Sequence, residues 1–424
     1  MSASIFASAD FTVIKYPYKK ILSQSNREIK RMIRREPKVN SKNYLNQLIL
    51  KSSQFLLAEN IPYHHRGAMG EGNWCGTNFS KTGCKHIQQD LTYRTDSLDC
   101  FTLVQLVLAL VNTNNLATFQ QRLLRIDYGA DTIAGMSGKA ITYYNRNNFT
   151  SADFNPVNQK RGIIKDVTNT GVFKPYVKQT SAMIDRAKWF LYKARHYKLK
   201  KNVRVLRSQT GKSMVRRLED HYASFYKPEK VSINYIPKQV LVKKVYQKYM
   251  PNEALINKIP TPSVLEIVRD TRLWMKNGKN IQHAIGSGLN VSHTGLLYKK
   301  YFKSHQLIYQ KITCKNSWSG RKQCEVRPVF CRKETGCKET MMLAATNAYP
   351  LHFVWSLNKK SGQYACTSRS NIPYGATRLT SCNRVEAMPL GAYIARKEYG
   401  QYIYMQTPSI LGVNIEKIKG RESA

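Results

Sequence analysis

Residues 98–111, LDCFTLVQLVLALV, form a long apolar stretch with one cysteine near its start. A helix that is apolar nearly all the way round is buried in the middle of a fold. Ser97 or Asp99 can cap its start, which puts Cys100 in the first turn. The unpaired amide groups and the dipole of a helix start favour a thiolate, so the pattern predicts a lowered thiol pKa and a nucleophile. The alternative is a core cysteine that only fills space.

Residues 287–300, SGLNVSHTGLLYKK, have the period of two that is typical of a β-strand. One face of this strand carries Leu289, Val291, His293, Gly295 and Leu297. His293 is therefore predicted to point inward, where a histidine is more often a satisfied core residue than a catalyst. Gly295 beside it removes bulk, which favours the close approach of another group.

Gln310 follows in the segment HQLIYQKITC, on a face that is otherwise apolar, so it needs a hydrogen-bond partner. If residues 300–303 are the loop of a hairpin, Gln310 lies directly opposite His293, with the side chains starting about 5 Å apart. The patterns then predict a nucleophile, a base and an orienting carboxamide in Cys100, His293 and Gln310.

The remaining organisation is that of one domain, residues 1–424, with extra segments. Residues 1–60 carry apolar residues at a spacing of three to four, which predicts an N-terminal helical segment packed on the core. Residues 61–90 are glycine-rich and loop-like. The tail, GQYIYMQTPSILGVNIEKI, alternates like a closing strand.

Residues 181–250 form a basic insertion, and residues 314–388 form a cysteine-rich insertion. Within the first, residues 186–217 contain twelve Lys or Arg and no Asp or Glu, with aromatic residues between them. Such a stretch can grip phosphates and stack bases, or it can cover the core with long basic stems.

The net charge of +42 implies an anionic partner, such as a wall polymer, a membrane surface or nucleic acid. No stretch reaches the roughly 18 apolar residues of a membrane helix, so we expect no transmembrane segment. The N-terminus lacks the basic start and apolar run of a signal peptide, although SIFASADF resembles the end of one.

The chain has nine cysteines, and an even number, eight, remains when Cys100 is set aside. The eight form neighbours in sequence: Cys75 with Cys84, Cys314 with Cys324, Cys331 with Cys337, and Cys366 with Cys382. This pairing is one of many, but an even set in loop-like segments predicts disulfides and an oxidising compartment. Zinc is the alternative, through Cys84, His86, His64 and His65, but the ligand spacing is poor, so we expect no metal.

The chain contains LDCFTLVQLVLAL followed by FQQRLLRIDYG, and later GLNVSHTGLL. These two motifs together resemble the N-acetylmuramoyl-L-alanine amidase-like family of the NlpC-type branch of papain-like enzymes. The family pattern falls at Asp99, Cys100 and Thr102; at Leu108, Ala109 and Leu110; at Arg125, Tyr128 and Gly129; and at residues 288–293. The chain departs from it at Gln105, where the family has Glu, and at Asn290, where it has Asp.

The resemblance implies an α+β fold with a papain-like core, in which the nucleophile starts a buried helix packed on an antiparallel sheet. It also implies hydrolysis of the amide between muramic acid and L-alanine in peptidoglycan, without a cofactor. On that interpretation Cys100 attacks, His293 moves the proton, and Gln310 takes the third position. We expect Asp99, Tyr93 and Ser292 to contact substrate.

The expected partners are peptidoglycan or its fragments and anionic wall polymers. We expect an exported monomer, periplasmic or extracellular. The first alternative is an endopeptidase of the same fold that cuts within the stem peptide. The second is a non-catalytic binder of anionic polymer or nucleic acid that uses residues 186–217.

Overall fold

The structure is a computed structural model that describes part of the chain. The described residues are 18–35, 44–58, 91, 93–95, 98–129, 146–189, 192, 227–246, 248–276, 278–316, 322–331, 339–348, 353–357, 364–368, 377–381, 383–395 and 407–420.

The helices of the described residues are α1 (Tyr18–Arg34), α2 (Tyr44–Ala58), α3 (Cys100–Leu110), α4 (Leu116–Tyr128), α5 (Asn155–Lys160), α6 (Lys238–Leu241), α7 (Glu253–Ile256), α8 (Ile281–Ile285) and α9 (Leu390–Ile394). A π-helical turn, Thr150–Phe154, leads into α5, and a 3₁₀ helix spans Gly171–Tyr176.

The strands are β1 (Ile164–Asp166), β2 (Lys178–Ile184), β3 (Glu229–Pro237), β4 (Val242–Val245), β5 (Lys248–Pro251), β6 (Ser263–Arg269), β7 (Met275–Lys276), β8 (Lys279–Asn280), β9 (Val291–Tyr301), β10 (Leu307–Asn316), β11 (Lys322–Phe330), β12 (Glu339–Ala348), β13 (Phe353–Leu357), β14 (Tyr364–Ser368), β15 (Thr377–Ser381), β16 (Asn383–Pro389) and β17 (Ile410–Ile418).

One large sheet organises the fold, in the order β16-β12-β9-β6-β17-β3-β2, with β1 paired to β17. Every pairing in it is antiparallel. Its central strand β6 is buried at every position, because both of its faces are covered. Separate small sheets are formed by β10 with β11, by β13 with β14 and β15, by β4 with β5, and by β7 with β8.

Alternation along β9 separates two cores. Leu296 and Tyr298 belong to the core that contains the buried residues of α3, whereas Leu297 belongs to the core on the other face. The first core also takes apolar residues of α1, α2 and α4, and the second takes residues of α6, α7 and α9. Helix α3 therefore lies on one face of the sheet, which is called the α3 face below, and α6, α7 and α9 lie on the opposite face.

Helix α3 is buried from Thr102 to Leu110, as its all-round apolar pattern predicts. Helix α3 begins with a capping box formed by Asp99 and Thr102, and α4 begins with one formed by Asn115 and Thr118. It ends at Gly129, whose φ of 65° is in the left-handed region that glycine reaches without strain. Both helix starts are thus determined by side chains three residues apart.

Several predictions agree with this architecture. The α+β class is confirmed, and the helices expected within residues 1–60 are α1 and α2, which pack on the core through Ile29 and Leu48. The tail strand is β17, although it lies inside the sheet between β6 and β3 and does not close an edge. None of the described helices is long and apolar enough to cross a membrane.

Other predictions fall on residues that are not described. These are the loop at 61–90, with Cys84 and the histidines of the zinc alternative, and most of residues 186–217. Arg186, at the start of the basic stretch, is ion-paired with Asp153 and Glu229.

Three of the expected cysteine pairs include described residues. Cys366 lies on β14 opposite Trp355, whereas its expected partner Cys382 lies outside the described residues. Cys331 is disulfide-bonded, whereas its expected partner Cys337 lies outside the described residues. Cys314 and Cys324 lie directly opposite each other in the ladder of β10 and β11. Directly opposite positions have Cα atoms about 4.5–5.5 Å apart, a spacing that a disulfide can bridge.

Candidate active site

Cys100 is the first residue of α3, and a capping box fixes its position. The Asp99 carboxylate accepts a hydrogen bond from the Thr102 amide at 2.7 Å, and the Thr102 hydroxyl accepts one from the Asp99 amide at 2.8 Å. The sequence allowed Ser97 or Asp99 as the cap, and the structure selects Asp99. The Asp99 carboxylate therefore caps the helix, and its predicted contact with substrate stays a prediction.

The start of α3 rests against β9 through Thr294. The Thr294 hydroxyl donates a hydrogen bond to the Cys100 carbonyl oxygen at 3.0 Å. The amide and the hydroxyl of Thr294 also lie within hydrogen-bonding reach of the Cys100 thiol. The ladder between β9 and β12 ends at Gly295, so residue 294 lies just past the end of that pairing, at an edge of β9. The thiol consequently lies at a strand edge.

Burial controls the protonation of this thiol. It raises the pKa of Cys100 from 9.0 to about 12, and the negative charge of Asp99 adds to the increase. The hydrogen bonds from Thr294 and from the Cys100 amide act in the opposite direction but are outweighed. The predicted lowering of the thiol pKa at the helix start is wrong for this structure, because desolvation of the thiolate exceeds the effect of the helix end.

His293 is the residue before Thr294 on β9 and is 5% exposed, so its predicted inward position is confirmed. It lies opposite Ile267 of β6. Its Nε2 atom has no hydrogen-bond partner among the described residues. Burial, together with the smaller effect of the positive charge of Arg269, lowers the pKa of the imidazole from 6.5 to about 3. The ring is therefore neutral at physiological pH.

The relation between the two residues follows from the strand. Thr294 faces α3, and strand alternation directs His293 to the opposite face, which carries Ile267 and Leu297. The ladder between β6 and β9 has an irregularity at this point, between the pairs of Ile267 and Val268. Cys100 therefore contacts β9 at Thr294, at the edge of the strand. His293 is the preceding residue of β9, and its side chain lies on the opposite face of the sheet from α3.

The predicted partner strand of His293 is wrong. Gln310 lies on β10 and is paired with Pro328 of β11, in a separate two-stranded sheet. His293 lies on β9, which is placed between β6 and β12 in the large sheet, and the expected hairpin is not formed. The side chain of Gln310 is outside the described part of the chain.

Tyr93 and Ser292, the other expected substrate contacts, occupy different environments. Tyr93 is 5% exposed, accepts a hydrogen bond from Gln120 at 2.6 Å, and donates one to Asn26. It therefore joins α1 to α4 within the core. Ser292 is half-buried next to His293, and its hydroxyl donates to the Ile267 carbonyl oxygen at 3.4 Å. Both substrate roles stay predictions.

Sequence reasoning missed the polar group that lies on the α3 face beside Thr294. Glu266 pairs directly with Thr294, is fully buried, and accepts a hydrogen bond from Asn155 at 3.0 Å. Burial raises the pKa of this carboxyl, and the neighbouring buried Glu416 has a raised pKa for the same reason. The signal was available, since Glu266 is a charged residue inside the apolar run SVLEIV.

The two positions at which the chain departs from the family pattern are also buried. Gln105 accepts a hydrogen bond at 3.5 Å from Arg146, which forms a 2.7 Å ion pair with Asp127. Asn290 accepts a hydrogen bond from Ser151 and donates one to the Val231 carbonyl oxygen at 3.2 Å. Both replacements therefore lie within hydrogen-bonded networks that surround the α3–β9 contact.

The fold and the site together define an α+β protein with a free thiol at the start of a buried helix, against an antiparallel sheet. The sequence model of the family described as N-acetylmuramoyl-L-alanine amidase-like matches residues 74–317, which is more than half of the 424 residues. The chain belongs to this family, and the matched span contains Cys100 and His293.

A solved structure supports the same fold. The crystal structure of protein LPG0564 from Legionella pneumophila str. Philadelphia 1, of family DUF1460, is similar with a TM-score of 0.53 and 22% sequence identity. The similarity covers 95% of this chain and 96% of that protein. No curated protein sequence matches significantly. The family indicates a hydrolase of the peptidoglycan amidase type, whereas the NlpC-type, papain-like placement stays a prediction.

Proposed function

We propose that the protein is a cysteine-dependent amidase that hydrolyses the bond between N-acetylmuramic acid and L-alanine. The observation that carries the proposal is the position of Cys100, a free thiol at the start of a buried helix, hydrogen-bonded to the strand neighbour of His293. The family supplies the substrate class, and the site supplies the two groups that the chemistry needs.

The proposed reaction has two steps, formation of a thioester at Cys100 and its hydrolysis. The Cys100 sulfur attacks the lactyl carbonyl carbon while its proton passes to His293, and the C–N bond then breaks as that proton goes to the leaving nitrogen of alanine. Water, deprotonated by the same imidazole, attacks the thioester and releases the lactyl carboxylic acid and the thiol. The amide N–H of Cys100 is the candidate donor to the oxyanion.

His293 can serve this thiol because of the strand edge. The amide nitrogen of Thr294 is bonded to the carbonyl carbon of His293, so a sulfur beside that amide lies within one side-chain length of the His293 backbone. The unpartnered Nε2 atom leaves the imidazole available to accept a proton.

The resting pair is a neutral thiol and a neutral imidazole, since burial raises the pKa of Cys100 and lowers that of His293. An ion pair between the two is therefore not the ground state. The proton moves only as substrate attack proceeds, which makes His293 a general base and not a group that merely stabilises a preformed thiolate.

The nucleophile is tested by Cys100→Ala and Cys100→Ser in the full chain, with N-acetylmuramoyl-L-alanyl-D-isoglutamine and digested peptidoglycan as substrates. Wild type is expected to release peptides that begin with L-alanine, and both variants are expected to lose the activity by at least about 10³-fold. Undiminished turnover by Cys100→Ala sinks the proposal. Mass analysis of the products separates amidase from endopeptidase activity by the bond that is lost.

The base is tested by His293→Ala, with His283→Ala as the matched control, because His283 is an exposed histidine on α8. Glu266→Gln belongs in the same series, since Glu266 is the other proton acceptor beside Thr294 and lies on the α3 face. Of these three variants, only His293→Ala is expected to lose turnover. Retained turnover in His293→Ala with loss in Glu266→Gln would assign the base to the carboxyl group.

The charge and the disulfide fit an exported enzyme. A net charge of +42 would hold the protein on an anionic wall, less firmly at high salt. The disulfide at Cys331 is consistent with an oxidising compartment. Salt-dependent retention on DNA, without hydrolysis of any muropeptide, would favour the non-catalytic alternative.

A further inference from the structure

A cavity of about 440 Å³ lies at the end of α3 that is remote from Cys100. It is lined by the turn after α3, by one face of α4 and by the segment after α5, including Asn112, Thr118, Arg122, Arg125 and Arg161. With a rise of about 1.5 Å per residue along α3, this end lies about 15 Å from the thiol. It is thus separate from the candidate active site.

Three arginines line this cavity, Arg122, Arg125 and Arg161, and it is called the arginine cavity below. The guanidinium group of Arg161 also donates a hydrogen bond to the Gly129 carbonyl oxygen. Among the described residues that line the cavity, none is Asp or Glu. Each guanidinium charge makes it less favourable for a neighbouring arginine to be charged, and partial burial has the same effect. Together they lower the pKa of Arg122 from 12.5 to about 10, with burial as the larger cause and Arg125 as the second.

Local contacts hold the first guanidinium in place. The Nε–H group of Arg122 donates to the Leu108 carbonyl oxygen at 2.9 Å, which leaves most of its N–H donors for another acceptor. The Thr113 hydroxyl donates to the Ala109 carbonyl oxygen at 2.7 Å. These two bonds cover carbonyl groups at the end of α3, so the negative end of that helix is shielded from the cavity.

The start of α4 favours an anion as well, and it lies on the same helix face as Arg122 and Arg125. Thr118 and Gln121 belong to the first turns of α4, a thirteen-residue helix whose start carries partial positive charge. Guanidinium groups match phosphate oxygens in a bidentate geometry. The volume falls within the range of small-molecule sites, which is about 300–1,000 Å³.

We propose that the arginine cavity binds a phosphate-type oxyanion, carried either by a small soluble molecule or by one unit of a phosphodiester polymer. An oxyanion bound there lies beside Arg122 and Arg125 of α4 and Arg161 after α5. The site is independent of hydrolysis at Cys100, and Cys100→Ala is therefore expected to retain it.

The test is calorimetric titration of the full chain with inorganic phosphate against chloride at constant ionic strength. Arg125→Gln and Arg161→Gln are expected to weaken phosphate binding by about tenfold or more, the loss typical of one charge-assisted contact. The matched control is Lys160→Gln, which removes the same charge from an exposed position on α5 and is expected to change binding by less than about twofold. Using two arginine variants keeps the test usable if one of them fails to fold.

Equal affinity for phosphate in wild type, both arginine variants and the control would overturn the proposal, because the attraction would then come from the net charge alone. Absence of phosphate binding by the folded wild type would overturn it as well. Glycerol phosphate and a short poly(glycerol phosphate), titrated at equal phosphate concentration, distinguish the two sources. Tighter binding of the monomer assigns the site to a soluble molecule, and tighter binding of the polymer assigns it to the wall.

Discussion

Asp99 has two opposite effects on Cys100, and one substitution separates them. Its carboxylate caps α3 and so positions the thiol, while its charge contributes to the raised pKa of that thiol. Asp99→Asn keeps a side-chain oxygen for the Thr102 amide, because asparagine is as good an N-cap as aspartate, but it removes the charge. Asp99→Ala removes both the cap and the charge.

The size of the charge effect follows from Coulomb's law. Taking about 6 Å between carboxylate and sulfur, the interaction is about 0.7 kcal/mol at the permittivity of water and about 2.8 kcal/mol at an effective dielectric constant of about 20. At about 1.36 kcal/mol per pKa unit, Asp99→Asn should lower the thiol pKa by about half a unit to two units. Below the pKa this speeds alkylation about 3-fold to 100-fold at a given pH.

The stability changes should differ between the variants. Asp99→Asn loses only the interaction of the charge with the helix dipole, about 0.3–1 kcal/mol. Asp99→Ala loses the cap, about 0.5–2 kcal/mol. A matched control is Asn115→Ala, which removes the equivalent cap of α4 without changing any charge next to Cys100.

The assay is the rate of iodoacetamide alkylation of Cys100 between pH 7 and 11, followed by mass analysis of the peptide that contains it. Thermal unfolding of the same samples measures stability. Asp99→Asn should shift the alkylation curve to lower pH, whereas Asn115→Ala should lower stability and leave the curve unchanged. An unshifted curve for Asp99→Asn would refute the argument that this charge raises the thiol pKa.

Three further predictions concern the surroundings of the site. Arg146→Met leaves Asp127 as an unpaired buried carboxylate and should lower the free energy of unfolding by about 3–5 kcal/mol, as measured by urea denaturation. Gly295→Ala places a Cβ atom 2.7 Å from a leucine Cδ1 of the neighbouring strand and 3.0 Å from a backbone oxygen, so it should cost about 1–3 kcal/mol in the same measurement. The pKa values of Glu266 and Glu416 are raised in the folded state, so their contribution to stability is full below about pH 4.5 and is lost as pH rises toward those raised values. Glu266→Gln should therefore gain stability relative to wild type as pH increases from 5 to 9, and an unchanged difference between the two proteins would contradict this assignment.

Local sequence determined the parts of the site that depend on neighbours along the chain. The burial of α3 follows from its apolar residues on all sides, and its start follows from an aspartate three positions before a threonine. The inward position of His293 and its shared face with Leu297 follow from the period of two. The two family motifs likewise consist of contiguous residues, so the family was recognisable before the fold was known.

Tertiary structure decided which strands are neighbours. Periodicity assigns residues to faces but contains no information about the partner strand, so the adjacent segment with Gln310 was the simplest choice for a hairpin and was wrong. The large sheet instead places β9 between β6 and β12, because these strands bury apolar residues on both faces at once.

The protonation of the thiol was also beyond the sequence. A helix start predicts a lowered pKa, but the contact of Cys100 with β9 removes water from the thiol and reverses the direction of the shift. The same holds for Glu266, whose raised pKa depends first on burial and then on the negative charge of Asp166. Sequence therefore determined which chemical groups are present and how each is oriented locally, whereas the packing of distant segments determined their solvation and their partners. The pKa of a buried group depends more on its solvation than on its residue type. For that reason, only the fold decided the charge states of the site.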